Sequence, residues 1–385
     1  MHLDSKDLLA SILVDVAAIK QLGLGQWDLL IRQARSAELL GRLYVLLEER
    51  ELLSHVPEAA LRHLSAGSRV TSRHAELISY EVGQIHKVLW QLGIPIIILK
   101  GAAYVLSDQP SAAGRMFSDI DILVPKGDLA RVEKALARNG WISTHLDDYD
   151  QQYYRKWMHE LPPLKHARRR TVLDVHHAIL PETARLHPSP QKMLATSVAV
   201  PGFEDLYTLC PEDMVLHSTT HLFHDGELEH GLRDLVDIDA LLCHFSSDTA
   251  FWKRIVERAS ELDLVRPLFY ALHYASRILQ TPVPQEVIAQ VEKIGGPNQL
   301  TLNIMDWLFM RGLRPDHISC SDSFTGMARW MLYVRSHYLR MPAHLLIPHL
   351  FYKAFITPLN ERKAEKLAVE RPTIERLLAQ AKTGQ

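Results

Sequence analysis

The chain has little cysteine and nothing that resembles a membrane-spanning segment. Its three cysteines, Cys210, Cys243 and Cys320, are far apart and show no C-x-x-C spacing. This argues against a disulfide framework and favours reduced, mostly buried thiols of a cytoplasmic protein. A transmembrane helix needs about 18 consecutive uncharged apolar residues, and no such run occurs. Charged residues also interrupt the N-terminal apolar stretch, so no signal peptide is expected.

The chain also lacks an excess of charge and the common nucleotide-binding motifs. Its formal net charge is −2 at pH 7 and its pI is about 6.9, which argues against a general nucleic-acid binder. No G-x-x-x-x-G-K-[ST] motif is present. The pair Gly23-x-Gly25 has no third glycine, because position 28 is Asp28. Neither a P-loop nor a dinucleotide-binding turn is therefore expected.

Hydrophobic residues make up 47% of the 385 positions, enough to bury a large core in two or three domains. Their spacing is helical over residues 1–92, with patterns at 8–16, 27–49 and 69–92, and again from Pro211 onward. The sequence thus predicts an α+β fold. The expected parts are an N-terminal helical region (1–92), a small mixed-sheet core (93–204) and a larger C-terminal helical domain (205–385).

Short apolar runs bounded by turn residues predict the strands of the core. Strands are expected at 94–99, 119–125, 141–145, 161–167 and 171–178, and a helix at 127–139. The last two strands are expected to form a hairpin through Arg168-Arg169-Arg170.

The most informative motif is Asp119-Ile120-Asp121, which opens an otherwise apolar run. Strand side chains at i and i+2 share a face, with Cα atoms about 6.6 Å apart. Two neighbouring buried carboxylates are costly unless a cation neutralises them. A dication such as Mg²⁺ does so, and it also supports phosphoryl and nucleotidyl transfer. The alternative is two acids that face water at a strand end.

Two cations precede this pair. Lys100-Gly101 follows the apolar run 94–99 and opens a helix, an arrangement that presents backbone N–H groups to an anion. The alternative is an ordinary turn with a solvated lysine. Arg115 lies four residues before Asp119 and is expected either to hold a triphosphate or to pair with an acid.

A third acid lies in the strand Thr171 to His177. Asp174 stands between Leu173 and Val175 and shares a face with His176. A carboxylate in such surroundings needs a partner, and beside a metal pair it would bind an ion and act as a base. The alternative is an ion pair with one of the three arginines before it.

Four other features have simpler explanations. His217, His221 and His224 follow helical spacing; they form a metal site, a helix face near the active site, or structural contacts. Asp237-Ile238-Asp239 follows helical spacing, and i and i+2 positions of a helix do not share a face, so a twin-carboxylate site is not expected there. Arg233-Asp234 is interpreted as a structural ion pair. The aromatic and basic stretch from Trp330 to Phe355 contacts a membrane surface or partner, or, as we favour, forms amphipathic helices on the core.

Taken together, these motifs resemble the uncharacterised bacterial nucleotidyltransferases of the polymerase-β-like superfamily. The resemblance rests on Leu99-Lys100-Gly101-Ala102, Arg115, the run from Ser118 to Val124, and Leu173-Asp174-Val175-His176. The superfamily pattern has a Gly-Gly or Gly-Ser pair, a spacer, an acid pair and a later third acid. Here Lys-Gly replaces the glycine pair and the spacer is longer.

The resemblance implies transfer of a nucleoside monophosphate from an NTP, such as ATP, to a hydroxyl or phosphate acceptor. It implies Asp119, Asp121 and Asp174 as metal and catalytic carboxylates for two Mg²⁺ ions, with Mn²⁺ as an alternative. Expected nucleotide-binding residues are Lys100, Gly101, Arg115 and Ser118. Candidate contacts to the acceptor or nucleotide are His176, His217 and His221. Two alternatives remain open: an inactive nucleotide-binding module of the same fold, and an enzyme or toxin that modifies RNA ends.

Overall fold

The N-terminal region is helical. The computed structural model describes residues 4–144, 154–155, 158–225, 228–342 and 344. Its first helices are α1 (Leu8–Val14), α2 (Leu24–Ser36), α3 (Leu40–Glu49) and α4 (Glu58–Leu89). The helical pattern at 27–49 is divided between α2 and α3, because Glu38 adopts a left-handed φ of 57° and ends the first helix.

Within the described residues, seven strands form one mixed sheet in the order β3-β4-β5-β2-β1-β7-β6. The strands are β1 (Ile96–Leu99), β2 (Ile120–Leu123), β3 (Trp141–Ser143), β4 (Leu164–His166), β5 (Val172–His176), β6 (Val198–Ala199) and β7 (Leu206–Thr208). Pairs β1–β7 and β2–β5 are parallel and the others are antiparallel. The predicted β4–β5 hairpin is confirmed. The sequence does not predict β6 and β7, since strands of 2 and 3 residues are too short to show alternation.

Helices surround this sheet and continue to residue 340. Those between the strands are α5 (Lys100–Leu106), α6 (Leu129–Arg138) and α7 (Pro190–Ala195). Those after the sheet are α8 (Pro211–Thr220), α9 (Gly231–Phe245), α10 (Phe251–Glu261), α11 (Val265–Tyr274), α12 (Gln285–Gly295), α13 (Gln299–Gly312) and α14 (Thr325–Arg340). Helices α8 and α11 continue as π-helical turns at His221–Asp225 and Ala275–Leu279. Short 3₁₀ turns lie at Val16–Gln21, Leu53–His55, Trp90–Leu92, Pro110–Ala112, Lys126–Asp128 and Ile318–Cys320. The fold is therefore α+β, as predicted.

The central strands β1 and β2 are completely buried, which explains their continuous apolar sequences. They are antiparallel, so the end of β1 and the start of β2 lie at the same edge of the sheet. Strand β5 pairs with β2 on its other side. This edge brings together the ends of segments that are far apart in the sequence.

Two expectations concern residues at the surface. Helix α14 packs on the core through Ala328 and Leu332, but its Trp330 is exposed, so both interpretations of the stretch from Trp330 to Phe355 stay predictions; most of that stretch beyond residue 340 lies outside the described residues. The three cysteines are free, but Cys243 is exposed, so the expectation of mostly buried thiols is wrong for that residue. No helix in the described part is long and apolar enough to cross a membrane.

Candidate active site

Three carboxylates converge at this edge of the sheet. Asp119 immediately precedes β2, Asp121 lies within it, and Asp174 lies within β5. The parallel register makes Asp121 and Asp174 direct partners across the two strands. One oxygen from each of the three carboxylates lies within 4.8 Å of the others, so the group could hold a metal ion. The structure thus brings the three predicted acids together.

Of the three carboxylates, that of Asp174 has the fewest compensating contacts. Its Oδ1 atom is buried and has no hydrogen-bond partner. Burial, followed by the charges of Asp121 and Glu160, raises the pKa of Asp174 to about 8. The alternative pairing with Arg169 does not occur, because that arginine lies 2.7 Å from Glu81 instead. An orphaned carboxylate oxygen beside two other acids fits a hard dication.

The pKa of Asp121 is shifted in the opposite direction. Lys100 Nζ and His176 Nε2 lie 3.2 and 3.0 Å from its Oδ1. Burial alone would raise the pKa of Asp121, but Lys100 and the hydrogen bond from His176 hold it well below its usual range. The surroundings thus favour the ionised form of Asp121 and the protonated form of Asp174. The two carboxylates differ because Lys100 and His176 contact Asp121, whereas burial beside other acids dominates at Asp174.

His176 connects Asp121 to an acid that the sequence does not reveal. Its Nδ1 lies 3.2 Å from Glu160 Oε2, and its ring stacks on His159 with centroids 5.3 Å apart. The residues His159, Glu160 and His176 form a second group that could hold a metal. Glu160 reaches this position through a single β-bridge to His176, and no local motif predicts such a bridge.

Lys100 owes its place to strand register, since the preceding Leu99 pairs with Asp121. Gly101 is required for packing: a Cβ there would lie 2.6 Å from Arg115 Nη1 and 2.7 Å from Phe117 Cδ1. The sequence predicts Gly101 as a nucleotide-binding residue, whereas the structure shows that glycine at this position leaves room for Arg115 and Phe117. Ser118 donates a hydrogen bond of 2.8 Å to Asp119 Oδ1 and so orients the first carboxylate.

Arg115 forms an ion pair, one of the two alternatives that the sequence leaves open. Its Nε donates to Asp237 Oδ2 at 2.6 Å, and its guanidinium lies 5.3 Å from the centre of the Phe117 ring. Gly114 adopts a φ of +70°, and a Cβ there would lie 2.4 Å from the Gly41 carbonyl carbon. The turn before Arg115 thus requires glycine for both conformation and space.

A cavity of about 290 Å³ opens beside Asp119 and Asp121. It is lined by Lys100, Gly101, Tyr104, Arg115, Ser118, Asp119, Asp121, Ser218, His221, Glu229, His230, Arg233, Asp234 and Asp237. From α9 come Arg233, Asp234 and Asp237, whose sequence context predicts a structural role rather than a place in the site. Arg233 Nη2 lies 2.9 Å from Asp234 Oδ1, which confirms that ion pair. Asp239 instead accepts a hydrogen bond from Thr281, so Asp237-Ile238-Asp239 is indeed no twin-carboxylate site.

The three histidines of the predicted stripe separate in the structure. His217 is buried, and burial followed by the charge of Lys100 lowers its pKa to about 3. The π-helical turn begins at His221, which lines the 290 Å³ cavity. His224 lines a different cavity. Among the described residues, the groups suited to hold a metal do not include these three.

Comparison with known proteins finds a match at the level of a family. The family described as "Uncharacterised nucleotidyltransferase" matches residues 24–280, well over half of the 385 residues. The match includes the acid cluster and all seven strands. No curated protein and no solved structure matches the chain. With the three carboxylates and their cavity in place, we conclude that this chain belongs to the uncharacterised nucleotidyltransferase family.

Proposed function

We propose that the protein transfers a nucleoside monophosphate from an NTP to a hydroxyl or phosphate acceptor and releases pyrophosphate, with Mg²⁺ as cofactor. The observation that carries this proposal is the convergence of Asp119, Asp121 and Asp174 within 4.8 Å. The orphaned Oδ1 of Asp174 supports a cation at this point, because a buried carboxylate oxygen is costly without a partner.

The three carboxylates would hold the metal, which supplies charge neutralisation and alignment for phosphoryl transfer when bound. Ser118 keeps Asp119 oriented through its 2.8 Å hydrogen bond. His176, buried against Glu160 and Asp121, acts through Asp121 rather than on the acceptor. This gives His176 a role different from the acceptor contact that the sequence suggests.

The triphosphate would enter the 290 Å³ cavity, where Lys100 and Ser118 stand beside the acids. The Lys100 ammonium, which contacts Asp121, is a compact charge on a flexible stem and is suited to a phosphate. Arg115 would reach a phosphate only by giving up its pair with Asp237; in its present position it shapes the cavity wall. Gly101 contributes by leaving room for Arg115.

Asp174 would receive the proton of the acceptor. A divalent cation bound beside Asp174 would favour its ionised form, and the ionised carboxylate could then accept that proton as a general base. His221, which lines the same cavity, is the histidine placed to contact the nucleotide or the acceptor. His217 is buried and does not line the cavity.

Calorimetric titration of the full chain with each of the four NTPs, with and without Mg²⁺, tests this proposal. We expect one or more NTPs to bind in a Mg²⁺-dependent manner, and D121N to weaken that binding at least about tenfold. The matched control is D239N, from the other Asp-Ile-Asp sequence, which should bind as the wild type does. NTP binding that is indifferent to Mg²⁺ and to D121N would instead identify an inactive nucleotide-binding module.

A further inference from the structure

A second and larger cavity, of about 650 Å³, lies on the C-terminal helices. Its walls come from α11, α12, α13, α14 and the π-helical turn at His221–Asp225. None of the residues that line it also lines the 290 Å³ cavity. The two cavities lie on different faces of the same turn, because His221 lines the first whereas Phe223 and His224 line the second.

The second cavity is rich in positive charge. Three arginines line it, Arg185, Arg266 and Arg335, against a single acid, Asp263. Arg335 Nη1 donates to the carbonyl of Phe223 at 2.8 Å. Arg266 donates to a backbone carbonyl, and Arg185 lies 3.9 Å from the centre of the Tyr338 ring. In the part of the chain that the structure describes, none of the three pairs with a carboxylate.

Arg335 is the inner cation of this cavity. Its guanidinium lies 5.5 Å from the ring centres of both Tyr270 and Phe309. Burial lowers its pKa, with Tyr270 opposing the change. By contrast, Arg115 and Arg258 each donate to a buried aspartate, at 2.6 and 2.7 Å. Arg335 is partly buried; a guanidinium that loses water contacts without gaining a carboxylate is destabilised, and aromatic contact compensates only in part.

We propose that this cavity binds a small organic anion, with its carboxylate or phosphate head facing Arg335 and an aromatic or aliphatic body against the cavity wall. Arg185 and Arg266 are exposed and stand at the rim, where their charge attracts the anion. Tyr270 and Met305 supply apolar wall surface. Mostly apolar pockets with a few convergent charged groups are typical of ligand sites.

This ligand site is independent of nucleotidyl transfer, because it shares neither the acids nor Lys100 with the proposed active site. The test is calorimetric titration of the full chain in EDTA with four probes: phenyl phosphate, benzoate, inorganic phosphate and the neutral benzyl alcohol. We expect phenyl phosphate or benzoate to bind at least about tenfold more tightly than benzyl alcohol and than inorganic phosphate, since the site uses both charge and apolar surface. The tighter of the two aromatic anions identifies the head group.

Variants place the binding in this cavity. R335M, which keeps the aliphatic stem, should weaken anion binding at least about tenfold, because a charge-assisted contact is lost. R185M/R266M, at exposed positions, should weaken anion binding severalfold without affecting the fold. If R335M does not fold, this double variant tests whether the anion binds in this cavity. K100M, in the other cavity, should change it less than about twofold. Equal binding of benzyl alcohol, loss of binding in K100M, or unchanged binding in R185M/R266M would overturn the proposal.

Discussion

Asp121 and Asp174 are direct partners across two parallel strands, yet their surroundings shift the two pKa values in opposite directions. Lys100 and His176 contact Asp121, whereas Oδ1 of Asp174 is buried without a hydrogen-bond partner. A cation beside Asp174 would remove this difference. Because each carboxylate influences the charge of the other, we expect the stability of the protein and its affinity for a metal ion to depend on both Asp121 and Asp174.

The first prediction concerns the pH dependence of folding stability in EDTA. The pKa of Asp174 is raised from an ordinary 3.8 to about 8 in the folded protein. The folded state therefore binds a proton more tightly than the unfolded chain, and this contribution is present below about pH 4 and lost as pH rises through about 8. At pH 8.5, D174N should be more stable than the wild type by about 1–3 kcal/mol in urea denaturation.

At pH 5 the difference between D174N and the wild type should shrink, and saturating Mg²⁺ should reverse its sign at pH 8.5. D28N, on the exposed face of α2, is the control and should show neither effect. A stability difference that does not vary with pH would contradict the account of Asp174.

The second prediction concerns His176 and Glu160. If His176 orients Asp121 from its position 3.0 Å from Oδ1, H176N should weaken divalent-ion binding about 10–100-fold, the range for residues that support metal ligands. E160Q should weaken divalent-ion binding less than H176N does. Mn²⁺ titration followed by electron paramagnetic resonance measures the affinity for the ion. H176Q has a longer side chain than H176N, which extends closer to Asp121, and should recover some of that affinity. Unchanged Mn²⁺ affinity with weakened NTP binding would instead make His176 a direct substrate contact.

The third prediction separates the structural and the nucleotide-binding interpretations of Arg115. R115M leaves Asp237 buried without its 2.6 Å partner and should cost about 3–5 kcal/mol of unfolding free energy. The double variant R115M/D237N should recover much of that loss. R73M breaks an exposed pair with Glu76 and should cost less than about 1 kcal/mol. If R115M lost only NTP affinity and no stability, Arg115 would be a triphosphate ligand.

The fourth prediction concerns Gly101. A Cβ at this position would lie 2.6 Å from Arg115 Nη1, so G101A should destabilise the protein by about 1–3 kcal/mol through overpacking. G127A is the matched control, because nothing lies within 4 Å of a Cβ at Gly127. Thermal unfolding compares the two. A stable G101A that binds NTPs weakly would show that Gly101 serves phosphate approach.

The sequence predicts those parts of the site that depend on local periodicity. The Asp119-Ile120-Asp121 strand and the hairpin that carries Asp174 both follow from apolar runs and turn residues. Their approach within 4.8 Å depends on strand order, which the family resemblance supplies and local pattern does not.

The contacts that the sequence misses join distant segments. Arg115 and Asp237 are 122 positions apart, and Asp237 belongs to a helical pattern that by itself predicts only a structural role. Glu160 lies outside any regular element and meets His176 through one bridge. The separation of His221 from His224 arises from a π-helical turn, which shifts the helical phase in a way that the regular spacing of histidines does not show.

The central claim is that Asp119, Asp121 and Asp174 together hold a divalent ion, and Mn²⁺ titration followed by electron paramagnetic resonance tests it most directly. The wild type and D239N should bind Mn²⁺ with equal affinity, displaceable by Mg²⁺. D119N, D121N and D174N should each weaken that binding at least about tenfold. Binding that persists in all three variants, or wild-type protein that binds no Mn²⁺ at millimolar concentration, would contradict the account.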